Sequence, residues 1–356
     1  MSARQVDDVL KVGIAGYGTV GRIRHQFCTE HPQLNVVAVC DQSFSVPVVT
    51  SEGVRCWGTY DQLLEEELDV LFVCLPNYLA PVVTVAGLEA GLHVFCEKPP
   101  GRDLGDIERV IAVEKRCPGQ KLMFGFNHRY HDSVRDALRV IKSGELGGVL
   151  NLRGVYGKSK IIRFGNDKDW RTQRELAGGG ILLDQGIHMV DMMRLFAGEF
   201  TDIHSFISND YWHHDIEDNA YALMRTADGI VGMLHSSATQ WRHRFQLDIT
   251  LEQGAILLGG ILSSTRSYGA ETITIVYSAE NDGGDPREVM TRYNEDHSWR
   301  DEVYDFAASV LDDKPITAGS SAEALKTMQL VYRIYCADPE WREQFGLTDR
   351  IAGKKA

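Results

Sequence analysis

The sequence predicts an α/β protein in two parts: a doubly wound parallel-sheet domain first, then an α+β domain with a large, mostly antiparallel open sheet. Three observations predict it. Over the first third, short apolar runs of strand character alternate with amphipathic stretches of helical period, the pattern of a parallel sheet covered on both faces. From about Val149 the texture changes to longer alternating patterns, joined as hairpins by turn signals such as Ala227-Asp228-Gly229 and Gln253-Gly254. The tail then returns to apolar residues at helical spacing.

In chain order the first strands are Lys11 to Ala15, Leu34 to Cys40, a short one near Val54 to Trp57, Asp69 to Leu75, His93 to Cys96 and Lys121 to Phe126. Helical stretches run from Val20 onward and over Tyr60 to Glu67, Pro81 to Ala90 and Leu104 to Lys115, the last two ended by Gly91 and by Cys117-Pro118-Gly119. The second set of strands is Leu150 to Tyr156, Asp202 to Ser208, Asn219 to Thr226, Ile230 to Ser237, Phe245 to Leu251, Ala255 to Leu258 and Thr272 to Tyr277. Trp299 to Leu311 and Ser321 to Cys336 are the closing helices, with Pro315 between them. The expected division is 1–127 and 128–356, with the C-terminal helices able to return to the first domain.

The first strand leads straight into Gly16-Tyr17-Gly18-Thr19-Val20-Gly21, and the second ends in Asp41, 20 residues beyond Gly21. A bare Gly-x-Gly-x-x-Gly is a weak signal. Between a strand and a helix, with an acid at this distance, it is the Rossmann dinucleotide-binding pattern. Gly16 allows the tight turn, Gly18 lets a pyrophosphate reach the backbone, and Gly21 permits close packing of helix on strand. The helix N-terminus adds its dipole and free N–H groups. Asp41 is placed to accept from ribose hydroxyls and repels a 2′-phosphate, and Gln42, Ser43 and Phe44 offer no arginine, so NAD is expected over NADP. In such sheets ligands collect at the carboxyl ends of strands, where Leu75-Pro76-Asn77 and Glu97-Lys98-Pro99-Pro100 lie.

The run Gly178 to Asp191 is expected to be helical, placing Asp184, His188 and Asp191 at i, i+4 and i+7 on one face. Ile181, Leu182, Leu183, Ile187, Val190, Met192 and Met193 supply its apolar surface. Gly186 opposes the helix by roughly 1 kcal/mol, which implies a close approach to its backbone. Taken alone the run fits either a satisfied, partly buried His-Asp pair or a reactive site.

Composition bounds the function. A chain of 356 residues with 44% hydrophobic content is long enough for two domains. A net charge of −13 argues against nucleic acid and anionic membrane as partners. No apolar run approaches bilayer length, and Met1 to Asp8 is polar rather than a signal peptide. The 7 cysteines include no Cys-x-x-Cys pair, and Cys40, Cys74 and Cys96 fall inside apolar strands, as buried thiols of a reducing cytoplasm do. His213-His214 beside Asp215, and His128 near His131, lack the spacing of a zinc site, so no metal is expected.

The chain resembles the Gfo/Idh/MocA oxidoreductases over nearly its whole length. The residues that carry the resemblance are Gly16-x-Gly18-x-x-Gly21, Leu75-Pro76-Asn77, Glu97-Lys98-Pro99, Phe124-Gly125-Phe126-Asn127-His128-Arg129, and Gly178-Gly179-Gly180 followed by Asp184, His188 and Asp191. The resemblance implies a catalytic set of Lys98, Asp184 and His188. It also implies a cofactor site of Gly16, Tyr17, Gly18, Thr19, Val20, Gly21, Asp41, Leu75, Pro76, Asn77, Glu97, Lys98 and Asn127. Pro99 is expected to fix the turn after Lys98 through a cis peptide. Relatives commonly carry a histidine three positions after the asparagine, where this chain has Ala80, and no role is assigned there.

Oxidising a secondary alcohol needs a base of pKa near the working pH, a role for His188, and a cation beside the oxygen, a role for Lys98. Asp184 either binds a neighbouring hydroxyl or orients the imidazole. Asp191 supports the helix face from behind. The substrate class that the resemblance implies is a sugar or sugar derivative. Tyr156-Gly157-Lys158-Ser159-Lys160-Ile161-Ile162-Arg163-Phe164, a basic and aromatic segment before Trp170-Arg171, is either a solvated loop or a seat for a phosphate, diphosphate or carboxylate. The candidate substrate residues are Lys98, Arg129, Tyr156, Lys158, Arg163, Trp170, Arg171, Asp184 and His188. With Ile216-Glu217-Asp218-Asn219 this texture resembles members from surface-polysaccharide and nucleotide-sugar pathways, which points to C3 of a nucleotide-linked or acidic sugar. The alternatives are an inositol or cyclitol dehydrogenase, an NAD-dependent glycosidase using transient C3 oxidation, and a non-catalytic NAD-binding regulator. A sheet with one face free also predicts a homodimer or homotetramer.

Overall fold

The computed structural model describes residues 9–160, 169–263, 266–279 and 283–349. It divides into two compact units, one formed by the chain up to Asn127 together with Trp299–Leu325, the other by His128–Ser298 together with the chain from Lys326.

The first unit alternates strand and helix: β1 (Leu10–Ala15), α1 (Thr19–Glu30), β2 (Leu34–Cys40), β3 (Val48–Val49), β4 (Arg55–Trp57), α2 (Tyr60–Leu64), β5 (Val70–Val73), α3 (Ala80–Glu89), β6 (His93–Glu97), α4 (Leu104–Glu114) and β7 (Leu122–Gly125). The strands form one sheet in the order β3-β4-β2-β1-β5-β6-β7, parallel except for the β3–β4 pair. All four residues of β5 and of β7 are buried, as a sheet covered on both faces requires. β3 escaped the sequence reading because two exposed valines after Pro47 carry no period. The helix expected over Tyr60 to Glu67 stops at Leu64, and Glu66 turns aside to accept from Arg55 Nε at 2.5 Å and Trp57 Nε1 at 3.0 Å.

A buried ion triad ties the late segment into this unit. Arg24, on α1, donates through Nε to Glu97 at 2.7 Å and through Nη2 to Glu302 at 2.5 Å. Its guanidinium lies 4.4 Å from the Phe95 ring centre and 4.5 Å from that of Trp299. Glu302 belongs to α8 (Ser298–Leu311), whose Phe306 meets Phe72 and Phe95 edge-on at 5.8 and 5.6 Å. α9 (Ser321–Cys336) follows, and Gly319 O accepts from Phe124 N at 2.7 Å just before it.

The second unit opens with a 3-10 turn at Asn127–Tyr130 and α5 (Asp132–Ser143), an amphipathic helix closed by Gly144 in the left-handed conformation (φ 72°) and absent from the sequence reading. Next come β8 (Val149–Gly157), a 3-10 turn at Trp170–Thr172, α6 (Arg174–Ala177), a π-turn at Leu182–Gly186 and α7 (Ile187–Ala197). The strands β9 (Phe200–Ser208), β10 (Asn219–Thr226), β11 (Val231–Ser237), β12 (Arg244–Leu251), β13 (Gly254–Gly259), β14 (Glu271–Tyr277) and β15 (Arg287–Tyr293) complete the sheet, and α10 (Pro339–Phe345) ends the unit. The strand order is β15-β14-β13-β12-β8-β11-β10-β9, antiparallel except for β8 against β11. β15 was missed because it is an edge strand with almost every residue exposed, so it lacks alternation.

Three charged side chains share little water in the triad of the first unit. Burial pushes the Glu302 carboxyl up to about 8 against the pull of Arg24, with Glu97 adding like-charge repulsion. A carboxyl raised in the folded state adds stability that is full below its ordinary range and lost as pH rises through about 8. The melting temperature is therefore expected to fall between about pH 5 and pH 8.5 more in the wild type than in Glu302→Gln, as read by circular dichroism; parallel curves would contradict this.

Candidate active site

The first unit builds a nucleotide cradle at the end of β1. Gly16 has φ +90°, and a Cβ there would stand 2.3 Å from Cys74 O; a Cβ at Gly21 would stand 2.0 Å from Gly16 O. At Gly18, by contrast, nothing lies within 4 Å, so that turn is open to a ligand. Gly18 caps α1 with no side-chain hydrogen bond and no acid follows in the first turn, so no side chain caps the positive end of the helix. Asp41 Oδ2 accepts from Tyr17 N and Oδ1 from Ser43 N, each at 2.9 Å. Burial raises the Asp41 carboxyl, but these N–H donors and Arg22 outweigh it and hold it below its ordinary range. These residues fit a dinucleotide: an open glycine turn, an uncapped helix end and a fixed anion where ribose hydroxyls need an acceptor.

Sequence reasoning missed Arg22. It donates through Nε to Tyr17 O at 3.3 Å and lies 5.2 Å from the centre of the Tyr17 ring. Leu75, Pro76 and Asn77 form the turn after β5, where Pro76 O accepts from Leu79 N and Ala80 N at 2.9 Å each, and Asn77 is buried. Glu97 closes β6 with one oxygen on Arg24. Lys98 follows, half-buried, and its peptide bond to Pro99 is cis. Asn127, at the far end of β7, is buried.

In the second unit the π-turn changes the helix face expected for Asp184, His188 and Asp191. The wider turn over Leu182–Gly186 shifts the register between Asp184 and Asp191, and the partners described below for these two carboxylates lie on different elements. Asp184 Oδ2 accepts from Lys158 Nζ at 3.1 Å, and Oδ1 lies 3.8 Å from Arg171 Nε. Asp191 accepts both arms of Arg129 at 2.6 Å, with Thr327 Oγ1 donating at 2.9 Å. Arg129 is thus committed to a bidentate ion pair on the helix. His188 is buried, and its ring stacks on that of His128 at 3.8 Å and 14°.

His128 Nε2 in turn meets Tyr156 OH at 3.2 Å, and burial drives the Tyr156 phenol far above its ordinary range. Trp170 lies under the Arg171 guanidinium at 4.2 Å. Arg163 falls outside the described residues. Three contributors had no site role in the sequence reading. Tyr268 OH accepts from Gln185 Nε2 at 2.9 Å, and burial pushes that phenol up to about 12. His128 was visible in the Phe-Asn-His-Arg motif but had no signal for its stacking. Glu217 is fully buried and accepts from Gly180 N at 2.8 Å, Leu182 N at 2.9 Å and Tyr335 OH at 2.7 Å, fastening the start of the π-turn.

Residues 10–126 match the oxidoreductase family with an NAD-binding Rossmann fold, and residues 134–257 match the GFO/IDH/MocA C-terminal domain. The chain belongs to the Gfo/Idh/MocA oxidoreductase family, and its cofactor is NAD. Among curated relatives, levoglucosan dehydrogenase of Pseudarthrobacter phenanthrenivorans is 26% identical over 280 residues, 68% of this chain and 70% of the relative. D-glucoside 3-dehydrogenase of Escherichia coli is 30% identical over 218 residues, 58% of this chain and 60% of the relative. A solved levoglucosan dehydrogenase, in complex with NADH and levoglucosan, shares the fold with TM-score 0.81 at 19% identity, covering 94% of this chain and 98% of that one.

Gly186 has a physical reason in the structure: a Cβ there would stand 2.2 Å from Ser236 Oγ on β11. Gly186→Ala is expected to cost about 1–3 kcal/mol in urea unfolding, and Ser236→Gly in the same chain to recover part of it. Unchanged stability in Gly186→Ala would contradict the contact.

Proposed function

We propose that the protein is an NAD-dependent dehydrogenase of a secondary hydroxyl on a sugar, with Lys98, Asp184 and His188 as its catalytic residues. The observation that carries the reading is the presence, in one chain of this family, of an open Gly18 turn beside the Asp41 anion and of a buried imidazole at His188 on a helix fastened by Glu217. Bound NAD supplies the hydride acceptor. His188 takes the proton from the hydroxyl oxygen, and its stack on His128 holds the ring in one plane. Lys98 stabilises negative charge on the same oxygen as it develops. Asp184, polarised by Lys158, binds a neighbouring hydroxyl and fixes the ring. The named activities of the levoglucosan and D-glucoside relatives support a sugar substrate, and the D-glucoside 3-dehydrogenase supports C3 as the oxidised carbon.

A second copy of the chain is the proposed partner, as a homodimer or homotetramer. On the outer face of the second sheet Phe206 pairs with Tyr221 and Leu223 with Met233, four large apolar side chains in register and all exposed, Phe206 by 77%. All seven cysteines are free, which supports a reducing compartment, the cytoplasm. Among the described residues no helix is long and apolar enough to cross a membrane.

With the sugar that gives the highest rate, Lys98→Met and His188→Asn are each expected to lower kcat by about 10²–10⁴ while NADH binding, followed by fluorescence, stays intact. Turnover within a few-fold of wild type in either variant would remove that residue from the set. Phe206→Glu with Leu223→Glu is expected to yield monomers in sedimentation velocity, and an unchanged assembly would displace the interface from this face.

A further inference from the structure

The second unit collects positive charge beside Asp184, in a chain whose net charge is −13. Lys158 and Arg171 already lie against that carboxylate. Next to them opens a groove of about 390 Å³ lined by Gln240, Arg242, His243, Arg244, Phe245 and Tyr268. The lining contains two guanidiniums and no carboxylate. Arg244 Nε donates at 3.0 Å to the amide oxygen of Gln246, a neutral partner, and among the described residues no carboxylate pairs with Arg242 or Arg244. Burial, and then the charge of Lys158, lowers the His243 imidazole, so at neutral pH the two arginines hold the groove's charge.

Two short paths tie this groove to Asp184. Tyr268 accepts from Gln185, the residue after Asp184, and its ring packs edge-on against Tyr156 at 5.3 Å. His243 Nε2 meets Ser159 Oγ at 3.1 Å, beside Lys158, whose ammonium is on Asp184. The groove therefore lies beside the residues that flank the carboxylate proposed to hold a substrate hydroxyl, within reach of a substituent of the same sugar. Phe245, buried, and Tyr268 give the cavity an apolar wall, which strengthens charge-assisted hydrogen bonds made against it.

We infer that this groove receives an anionic substituent of the sugar, a carboxylate or phosphoryl group held by Arg242 and Arg244, so that the substrate class is acidic sugars. The inference rests on the dehydrogenase reading and deepens it. Guanidiniums suit both anions, because their planar forks meet two oxygens at once.

The test is calorimetric titration of the full chain, saturated with NADH so that the cofactor site takes none of the probe. The probes are methyl β-D-glucoside, methyl β-D-glucuronide, glucose 6-phosphate and UDP-glucose, which separate no anion, carboxylate, phosphate and diphosphate. At least one anionic probe is expected to bind about tenfold or more tighter than the neutral glucoside, with an advantage that shrinks between about 50 and 300 mM salt. Arg242→Gln with Arg244→Gln is expected to remove that advantage, and Arg242→Lys with Arg244→Lys, which keeps the charge and loses the fork, to leave only part of it; Arg242→Gln alone, at an exposed position, serves if the double variant does not fold. The inference is overturned if no anionic probe outbinds the glucoside, or if the advantage survives in the glutamine variants. Failure of the dehydrogenase reading has a different signature, no NAD reduction with any neutral or acidic sugar.

Discussion

A single buried carboxylate governs the candidate site of the second unit. Glu217 takes two backbone N–H groups from the Gly180–Leu182 turn and the hydroxyl of Tyr335, and burial, the largest influence, raises its own carboxyl. Those N–H groups are among the ones a helix start leaves unsatisfied, and both residues are buried. Binding them to a side chain on the loop before β10 fixes where the π-turn begins. That beginning decides where Asp184 and His188 point. Gly180 permits the arrangement, since a Cβ there would stand 2.0 Å from Glu217 O.

The first unit depends on a comparable device. Arg24 gathers Glu97 from β6 and Glu302 from α8 around one guanidinium, with the Phe95 and Trp299 rings against it. Breaking such a buried set leaves an uncompensated charge, which costs more than the set contributes while whole. Glu97 immediately precedes Lys98, so the residue that anchors the late segment also fixes the strand end that presents the lysine.

Much of this was legible in the sequence. The Rossmann half was readable because each signal there is local: strand, glycine turn, helix and Asp41 follow at set spacings, and β2 fell on the expected residues, as did β10 in the second unit. Of the elements that escaped, α5 carried a clear amphipathic period and a glycine stop, whereas two strands had weak local signals. β15 lacks alternation at the sheet edge, and β3 has two residues. The register between Asp184 and Asp191 departs from a period of 3.6 because a π-turn intervenes, and Glu217, which fastens the start of that turn, lies more than 30 residues downstream. The pairing of Arg129 with Asp191, the stack of His128 on His188 and the Gln185–Tyr268 bond are likewise contacts between distant positions, invisible to spacing alone.

The central claim is net oxidation of a sugar hydroxyl by this chain with NAD. Its most direct measurement is the 340 nm absorbance of the purified protein with NAD and a panel of neutral and acidic sugars, run beside chromatography of the products. The account predicts NADH formed in step with a keto-sugar. Release of a free sugar with no net NADH would make the protein a glycosidase that returns its hydride, and no change with any sugar, despite bound NAD, would make it a binding protein.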